Sequence, residues 1–229
     1  MSDRAGQIGA TRIGPEGGVC GGAARREEAP QCFEPGAELP ASQFPYGFLV
    51  VSGWVGEVVT VDPERRQVVD ILLPGDAAAP PGSGHCVAAL TPTSVLPFSQ
   101  DRAPDRDAIL RQTRRLRQQV ARNGRRTARE RVAHLLLELC ERLRIGGGVT
   151  DGAFDLPISQ AVIADAVGLS YVHVSRVLTQ LERSGMIERR RGRVTIADGA
   201  AMELFCGFDA GYIERTDGGE AVAPCAGGT

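Results

Sequence analysis

The chain has 229 residues, of which 42% are hydrophobic, so it can bury the core of one large domain or two small ones. No apolar run reaches the roughly 18 residues of a membrane span, and residues 1–10 lack the basic and apolar blocks of a signal peptide. We therefore expect a cytoplasmic protein without membrane contact, while the formal net charge of −2 by itself excludes no class of partner.

The charge is distributed unevenly along the chain. Residues 102–193 contain 19 Arg and 10 Asp or Glu, a balance of +9, so the remainder carries −11. All 26 basic residues are Arg, whose planar guanidinium suits phosphate contacts. This asymmetry predicts that one half of the chain contacts a polyanion.

The six cysteines do not have the spacing of a disulfide framework or a zinc site, since no two form a C-x-x-C pair. Cys20, Cys32 and Cys86 could still ligate a metal or respond to redox conditions if the fold brings them together, with His85 as a further ligand. Because adjacent residues on a strand point to opposite faces, we favour ordinary packing, with no metal and no cofactor.

The two ends and the N-terminal half differ in composition. Residues 1–30 and 215–229 lack apolar periodicity, and we predict that both are disordered. Residues 31–100 are predicted to form a small antiparallel β domain, because short strand patterns alternate with turn residues. The predicted strands are 48–51, 54–61, 67–73, 87–90 and 94–96.

Residues 104–124 are predicted to form a dimerisation helix. Ile109, Leu116 and Val120 recur at steps of seven and four residues, which would place them along a seam between two copies of the helix. Several arginines crowd this stripe, so a solvated basic helix is the alternative. Gly124 is expected to break the helix.

Residues 125–214 are predicted to form a winged helix-turn-helix domain. A first helix at 127–144 carries a strong apolar stripe, with His134 expected on its surface. Two short strands at 186–190 and 193–196 would form a β-hairpin, the wing, with arginines at its tip.

The helix-turn-helix pattern itself lies in the middle of this segment. Ser159 is a good N-cap for a helix at 160–167, Gly168 suits the tight turn, and Ser170 caps a second helix at 171–183. A small residue four positions before this glycine and a branched residue six positions after it complete the pattern.

The exposed face of the second helix is predicted to contact bases. Arg176 could bind guanine O6 and N7, Ser175 a base edge and Val172 a thymine methyl, with Tyr171 beside them. The alternative is a solvated polar face on a protein-interaction module. The residues predicted to contact the DNA backbone are Ser159, Gln160, Ser170, His173, Thr179, Arg189, Arg190, Arg191 and Arg193.

Several stretches resemble the Crp/Fnr superfamily of transcription regulators. The resemblance covers residues 105–214 well and is carried by the runs 124–139, 156–160, 163–170, 172–178 and 205–213. The runs 49–55 and 65–76 are more weakly similar to the family's effector domain, a β-roll related to cyclic-nucleotide-binding domains. The resemblance implies a homodimer that binds a two-fold symmetric DNA site and controls transcription, with RNA polymerase as a partner.

The family's functional positions match this chain in part. Ser175 and Arg176 match the Ser-Arg pair that contacts bases in the Fnr-like branch, and Ser159 and Ser170 match hydroxyls that contact phosphates. Val172 departs from the pattern, because many members have Glu there, so the half-site is expected to differ; Tyr171 lies where some members have a base-contacting Arg.

The effector domain departs further from the family. After Gly75-Asp76 the chain lacks the helix, the Glu and the phosphate-binding Arg of the cyclic-nucleotide cassette. We therefore expect no cyclic nucleotide to bind. The cysteines do not match the iron–sulfur pattern of the oxygen-sensing branch.

Together these features predict an α+β protein with a small N-terminal antiparallel β-roll, a long dimerisation helix and a C-terminal winged helix-turn-helix. No enzyme is expected, since the chain has no Gly-rich phosphate loop, no G-x-S-x-G and no metal-ligand pair at helical spacing. The alternatives are a winged-helix adaptor that binds protein, and a redox- or metal-responsive form of the regulator.

Overall fold

The structure is a computed structural model that describes residues 29–62, 65–80, 82, 84–101 and 104–213. Residues 1–28 and 214–229, and with them nearly all of both segments predicted to be disordered, lie outside this part of the chain. The strands described are β1 Gln31–Phe33, β2 Phe48–Ser52, β3 Val55–Asp62, β4 Arg65–Leu72, β5 Ala77–Ala78, β6 His85–Ala89, β7 Thr93–Pro97, β8 Ala153–Asp155, β9 Ile187–Arg190 and β10 Arg193–Ile196. The α-helices described are α1 Arg106–Arg125, α2 Ala128–Ile145, α3 Gln160–Val167, α4 Tyr171–Arg183 and α5 Gly199–Cys206.

The N-terminal strands form two antiparallel sheets with the strand orders β1-β7-β2-β5 and β4-β3-β6. Phe44 and Phe48 pack edge to face, with ring centroids 5.2 Å apart, in a core to which both sheets contribute. The five predicted strands are present, with bounds that differ by one or two residues. The sequence did not predict β1 and β5, which have three and two residues.

The sheet β4-β3-β6 is buried on both faces. Alternation in the sequence predicts that Val55, Val59 and Val61 share a face, and Val55 does lie in the core between the sheets, whereas Val61 at the strand end is exposed. Trp54 and Val58, on the opposite face, are also buried, in a second core that includes the C-terminal helices. A strand pattern with apolar residues on both faces is typical of a covered sheet.

Helix α1 begins two residues later and ends one residue later than the predicted segment 104–124. Its N-cap is Asp105, whose carboxylate accepts the N–H of Ala108 at 2.6 Å. The helix continues through Gly124 to Arg125, so the prediction that Gly124 breaks it was wrong. One glycine costs a helix only about 1 kcal/mol, and the chain turns at Arg126 instead, where ψ is 151°.

Helix α2 begins with a capping box, in which Thr127 and Glu130 each bind the other's backbone N–H. Every residue from Val132 to Cys140 is buried. His134 was predicted to lie on the surface, and this was wrong: its ring centroid lies 5.1 Å from that of Phe208 and the ring is buried. The reason is that α1 and the segment after α5 cover the side of α2 that the apolar stripe leaves free.

One hydrophobic core joins the β-sheet to the C-terminal helices. The residues of the sheet β4-β3-β6, or directly beside its strands, that belong to the same buried cluster as the apolar faces of α2, α3 and α4 are Trp54, Val58, Val68, Ile71 and Leu73. A third antiparallel sheet, ordered β8-β10-β9, closes the other side of these helices. The helix-turn-helix is therefore packed between a wing sheet and the N-terminal β-sheet.

No single helix in the described chain is long and apolar enough to cross a membrane. Taken together, α3 and α4 have the length and composition of a membrane span, but the pair is sharply bent and its apolar residues belong to the core described above.

Candidate nucleic-acid interface

The turn between α3 and α4 has the geometry of a helix-turn-helix. Gly168 lies in the left-handed region, with φ 66° and ψ 42°, and the two helices are bent by 99°. Ser159 Oγ accepts the N–H of Val162, and Ser170 Oγ accepts the N–H of His173, both at 3.3 Å. A hydroxyl that accepts such a bond keeps its own hydrogen to donate, so both predicted phosphate contacts remain chemically possible.

Helix α4 separates a buried face from an exposed one. Its buried residues are Val174, Val177, Leu178 and Leu181. Tyr171 and Val172, in the first turn, are 56% and 55% exposed, although both are largely apolar. Arg176 is exposed and Ser175 half-buried on the same side. The structure thus brings all four predicted base-contacting residues to one face.

Arg176 and Thr179 differ in how much of their polar surface is free. Within the described residues, Arg176 has no hydrogen bond or ion pair, so its whole guanidinium fork is available to a ligand. Thr179 is half-buried and its hydroxyl donates to the carbonyl of Ser175 at 3.0 Å, which leaves it only acceptor capacity. His173 is exposed beside the helix start.

The wing is a hairpin of β9 and β10 with a two-residue tip. Arg190 pairs with Arg193 across the hairpin, and both tip residues have positive φ, 48° for Arg191 and 82° for Gly192. Two such residues form the tight turn that suits the twist of a hairpin. Arg190, Arg191 and Arg193 are exposed, and the guanidinium of Arg193 lies 3.6 Å from a carboxylate oxygen of Asp155.

Arg189 has a different position from the other wing arginines. Its guanidinium binds the carboxylate of Glu182 at 2.6 Å and so connects the wing to the end of α4. This hydrogen bond lowers the pKa of Glu182. The sequence did not predict this contact, although an acid at the end of the helix, close to a basic hairpin, was a possible signal.

Gln160 lies half-buried at the start of α3, on the wall of a cavity of about 350 Å³ beneath the wing. Its side-chain oxygen is buried and has no hydrogen-bond partner within the described residues. The predicted backbone contact of this residue would therefore have to use its amide hydrogens.

A second cluster of arginines lies far from this surface, where α1, α2 and β4 meet. Three arginines pair there with three acids, and we call the six residues the ion-pair junction: Arg115, Arg122, Arg142, Asp70, Asp76 and Glu138. The closest pairs are Arg115 with Asp70 at 2.8 Å, Arg122 with Glu138 at 2.9 Å and Arg142 with Asp76 at 2.5 Å. The three arginine side chains are at most 7% exposed.

The electrostatics of the ion-pair junction follow from burial and close pairing. Burial raises the pKa of Glu138, but the guanidiniums of Arg122 and Arg142 and the hydroxyl of Tyr212 at 2.8 Å outweigh it and hold the pKa below its ordinary value. Burial and the charge of Arg122 lower the pKa of His134, which lies next to the junction, to about 4. His134 is therefore neutral at physiological pH.

The described cysteines do not converge. Cys32 lies on β1 and Cys86 on β6, which belong to different sheets, while Cys20 lies outside the described residues. Burial raises the pKa of Cys140, and that of Cys206 to about 11, so both thiols are protonated. His85 lies 3.3 Å from Glu57, and in the described part of the chain no group of three or more His, Cys, Asp or Glu could hold a metal.

A helix-turn-helix with an exposed second helix and an arginine-rich wing defines a DNA-binding protein. The sequence model of the Crp-like helix-turn-helix domain matches residues 130–205. The nitrogen fixation regulation protein FixK of Rhizobium meliloti is 36% identical over 151 residues, which cover 62% of this chain and 69% of that protein. The transcriptional activator protein FnrL of Cereibacter sphaeroides is 30% identical over 192 residues, 76% of this chain and 75% of that one.

The solved structure of FixK2 from Bradyrhizobium japonicum covers 77% of this chain and 96% of its own, with a TM-score of 0.63 and 24% identity. The chain belongs to the Crp/Fnr family of transcription regulators. The predictions of family, of an α+β fold and of a DNA-binding transcription regulator are thereby confirmed.

Proposed function

We propose that this regulator acts as a homodimer that pairs through α1 and binds a two-fold symmetric DNA site. The helix α4 of each subunit enters a major groove, and the wing follows the adjacent phosphates. Two such helices reach half-sites about one turn of DNA apart, roughly 34–36 Å.

The observation that carries the dimer is the division of α1 into two faces. Arg115, Gln119 and Arg122 are buried against the rest of the chain, so the polar side of the helix faces inwards. Ile109 and Val120 are instead exposed, Val120 to 74%, and no described part of the chain covers them. An apolar stripe on a 20-residue helix is typical of a seam with a second copy.

Base contacts are proposed for the exposed face of α4. Arg176 binds guanine O6 and N7, Ser175 contacts a base edge, and Val172 packs against a thymine methyl beside Tyr171. We propose backbone contacts for Ser159, Gln160, Ser170, His173, Thr179 and the wing arginines. The hydroxyl of Thr179 would have to release the carbonyl of Ser175 in order to donate to a phosphate. Among these arginines, Arg191 is best placed, because it is exposed at the tip and has no ion pair within the described chain.

We propose that no cyclic nucleotide is needed for DNA binding. Residues 77–101 contain no arginine, so this part of the β domain offers the phosphate of a cyclic nucleotide no guanidinium. Arg115 of α1, which contacts the β domain, is buried and already paired with Asp70 and Asp76. We further infer action in the cytoplasm, where chromosomal DNA and RNA polymerase are its partners.

The experiment that tests this proposal is selection of bound sequences from a random duplex pool by the purified full chain, with no ligand added. An inverted repeat should be enriched. Val120→Glu places a charge in the seam and should make the protein a monomer by sedimentation, with weaker binding. Arg117→Glu is the matched control, because Arg117 is exposed on the same helix but is not part of the apolar stripe.

A single, non-repeated half-site would contradict the dimer while leaving DNA recognition in place. Enrichment of no sequence would contradict binding without a ligand. A Val120→Glu protein that remains a dimer would move the interface away from α1.

A further inference from the structure

The end of α3, just before the turn to the recognition helix, is held by side chains from outside the helix-turn-helix. The carbonyl of Ala166 accepts the side-chain amides of Gln67 at 3.0 Å, Asn123 at 3.1 Å and, more weakly, Gln119 at 3.4 Å. The carbonyl of Val167 accepts a guanidinium N–H of Arg131 at 3.4 Å. These donors come from β4, α1 and α2, and we call the four residues the α3 clamp.

The position of the clamp follows from the chemistry of a helix end. The last carbonyls of a helix have no partner within it and carry partial negative charge, so amide and guanidinium donors bind there. A side chain at Gly168 would lie within 3.8 Å of Gln67 and 3.9 Å of Arg131, which shows how closely the clamp approaches the turn. The clamp therefore contacts the residues that orient α4.

Gln119 connects three elements. Its buried amide also donates to the carbonyl of Val68 on β4 at 2.7 Å, so one side chain of α1 bridges β4 and α3. An exposed ion pair between Arg66 and Asp165, at 2.7 Å, joins β4 to α3 beside it. An exposed pair of this kind contributes little, so the amides of the buried Gln119 and the half-buried Gln67 and Asn123 dominate the connection.

The α1 residues of the clamp lie beside the apolar seam, because Asn123 follows Leu116 by seven residues, about two helical turns. Gln119 is buried one residue before the exposed Val120, so the same helix contacts α3 along one side and would contact its copy along the neighbouring side. In the dimer, the position of each recognition helix relative to the two-fold axis is then set by α1 and by the clamp. The ion-pair junction connects α2 to α1, and the clamp adds polar contacts to the end of α3, where Ala166 and Val167 are also buried in the core.

We propose that the α3 clamp fixes the separation and rotation of the two recognition helices and so selects the spacing between half-sites. This inference rests on the proposed dimer. Each base pair added between half-sites moves the second one by about 3.4 Å and rotates it by roughly 35°. A clamped pair of helices matches one spacing, whereas a pair with loose α3 helices accepts neighbouring spacings.

The test measures binding to a set of duplexes in which the selected half-site is inverted with spacers of different length. The proteins are the full chain, Gln67→Ala with Asn123→Ala, and Gln119→Leu. Gln118→Leu is the control, because Gln118 is half-buried on the same helix and makes no hydrogen bond within the described residues. Wild type and control should prefer one spacing, and the clamp variants should lose that preference by on the order of tenfold while keeping the same half-site.

A folded clamp variant that binds all spacings more weakly in the same ratio, or that keeps the single spacing, would overturn the inference. If the double variant unfolds at the assay temperature, Gln119→Leu decides the question alone. A wild-type protein that prefers no inverted repeat would overturn the proposed dimer and this inference with it. If the wild type and the clamp variants instead prefer the same spacing, only this inference is overturned.

Discussion

Arginine serves opposite purposes in two regions of this molecule. In the ion-pair junction, Arg122 is 2% exposed and its charge is matched by Glu138 at 2.9 Å. On the side proposed to contact DNA, Arg176 and Arg191 are exposed and have no ion pair within the described residues. The first group connects parts of one chain, and the second is free to bind another molecule.

This difference changes what the charge balance of the sequence means. The +9 of residues 102–193 includes Arg115 and Arg142, whose partners Asp70 and Asp76 lie in the acidic remainder of the chain. Part of the asymmetry is therefore neutralised inside the protein, across the contact between the β-sheet and the helices. A count of charges overstates the basic surface unless the buried pairs are removed from it.

The largest effect on stability is expected when the ion-pair junction loses one of its acids. Glu138→Gln would leave Arg122 and Arg142 without their shared carboxylate in a place that water does not reach, so the free energy of unfolding should fall by about 3–5 kcal/mol. Denaturant unfolding measures this change. Glu141→Gln, on the same helix, removes an ion pair with the exposed Arg144 and should cost within about 1 kcal/mol. Equal losses in the two variants would contradict the distinction.

His134, next to the ion-pair junction, should make the stability of the protein depend on pH. The folded chain protonates this ring only near pH 4, whereas the unfolded chain does so near 6.5, so the unfolded state binds the proton first as pH falls. The free energy of unfolding should therefore decrease between pH 6.5 and pH 4, by up to about 3 kcal/mol. The lowered pKa of Glu138 adds its own loss only below its ordinary value of 4.5.

Unfolding measured across this pH range in His134→Gln should show a flatter profile than wild type. His173→Gln, which changes an exposed ring on α4, should keep the wild-type slope. A slope that survives in His134→Gln would assign the pH dependence to other groups.

On the exposed side, Arg176→Ala should cost DNA affinity without costing stability. If Arg176 binds guanine, the loss at the selected site should be on the order of 1–3 kcal/mol, with little change on random DNA. Titration of labelled duplexes measures both values. Arg183→Ala, an exposed arginine at the far end of α4, should have a smaller effect at the selected site. Equal weakening on both kinds of DNA would exclude a base contact.

The smallest effect on DNA affinity is expected when the wing tip loses its charge. Arg191→Asn keeps a residue that tolerates positive φ and removes the charge, so the turn should persist. Affinity should fall by a similar factor on selected and random DNA, and the dependence of log affinity on log salt should become shallower by about 1. Arg65→Ala, at the exposed start of β4, is the control and should leave the slope unchanged. An unchanged slope in Arg191→Asn would mean that the tip does not contact a phosphate.

The parts of the fold that depend on short-range patterns could be predicted from the sequence. Ser159, Gly168 and Ser170 have the predicted cap and turn positions, and the wing strands differ from the predicted ones by one residue. The exposed face of α4 also followed from periodicity, because a helix places residues on faces by their spacing alone.

The contacts between distant segments could not be predicted in this way. Arg115 and Asp70 are 45 residues apart, and nothing in the spacing of either shows that they meet. The sequence analysis also did not predict α5, which begins after the N-cap Asp198 and has only eight residues, or β8, which has three. The α3 clamp was missed for the same reason, since amides on β4 and α1 point at one carbonyl only in the folded chain.

The core shared by the N-terminal sheet and the helices has a spectroscopic consequence. The chain's single tryptophan, Trp54, is 6% exposed in that core, between a strand of the sheet and the apolar side of the helices. Indole emission shifts to longer wavelength when the ring meets water. The protein thus contains its own fluorescent reporter: separation of the sheet from the helices would shift the emission, even if every strand and helix remained formed.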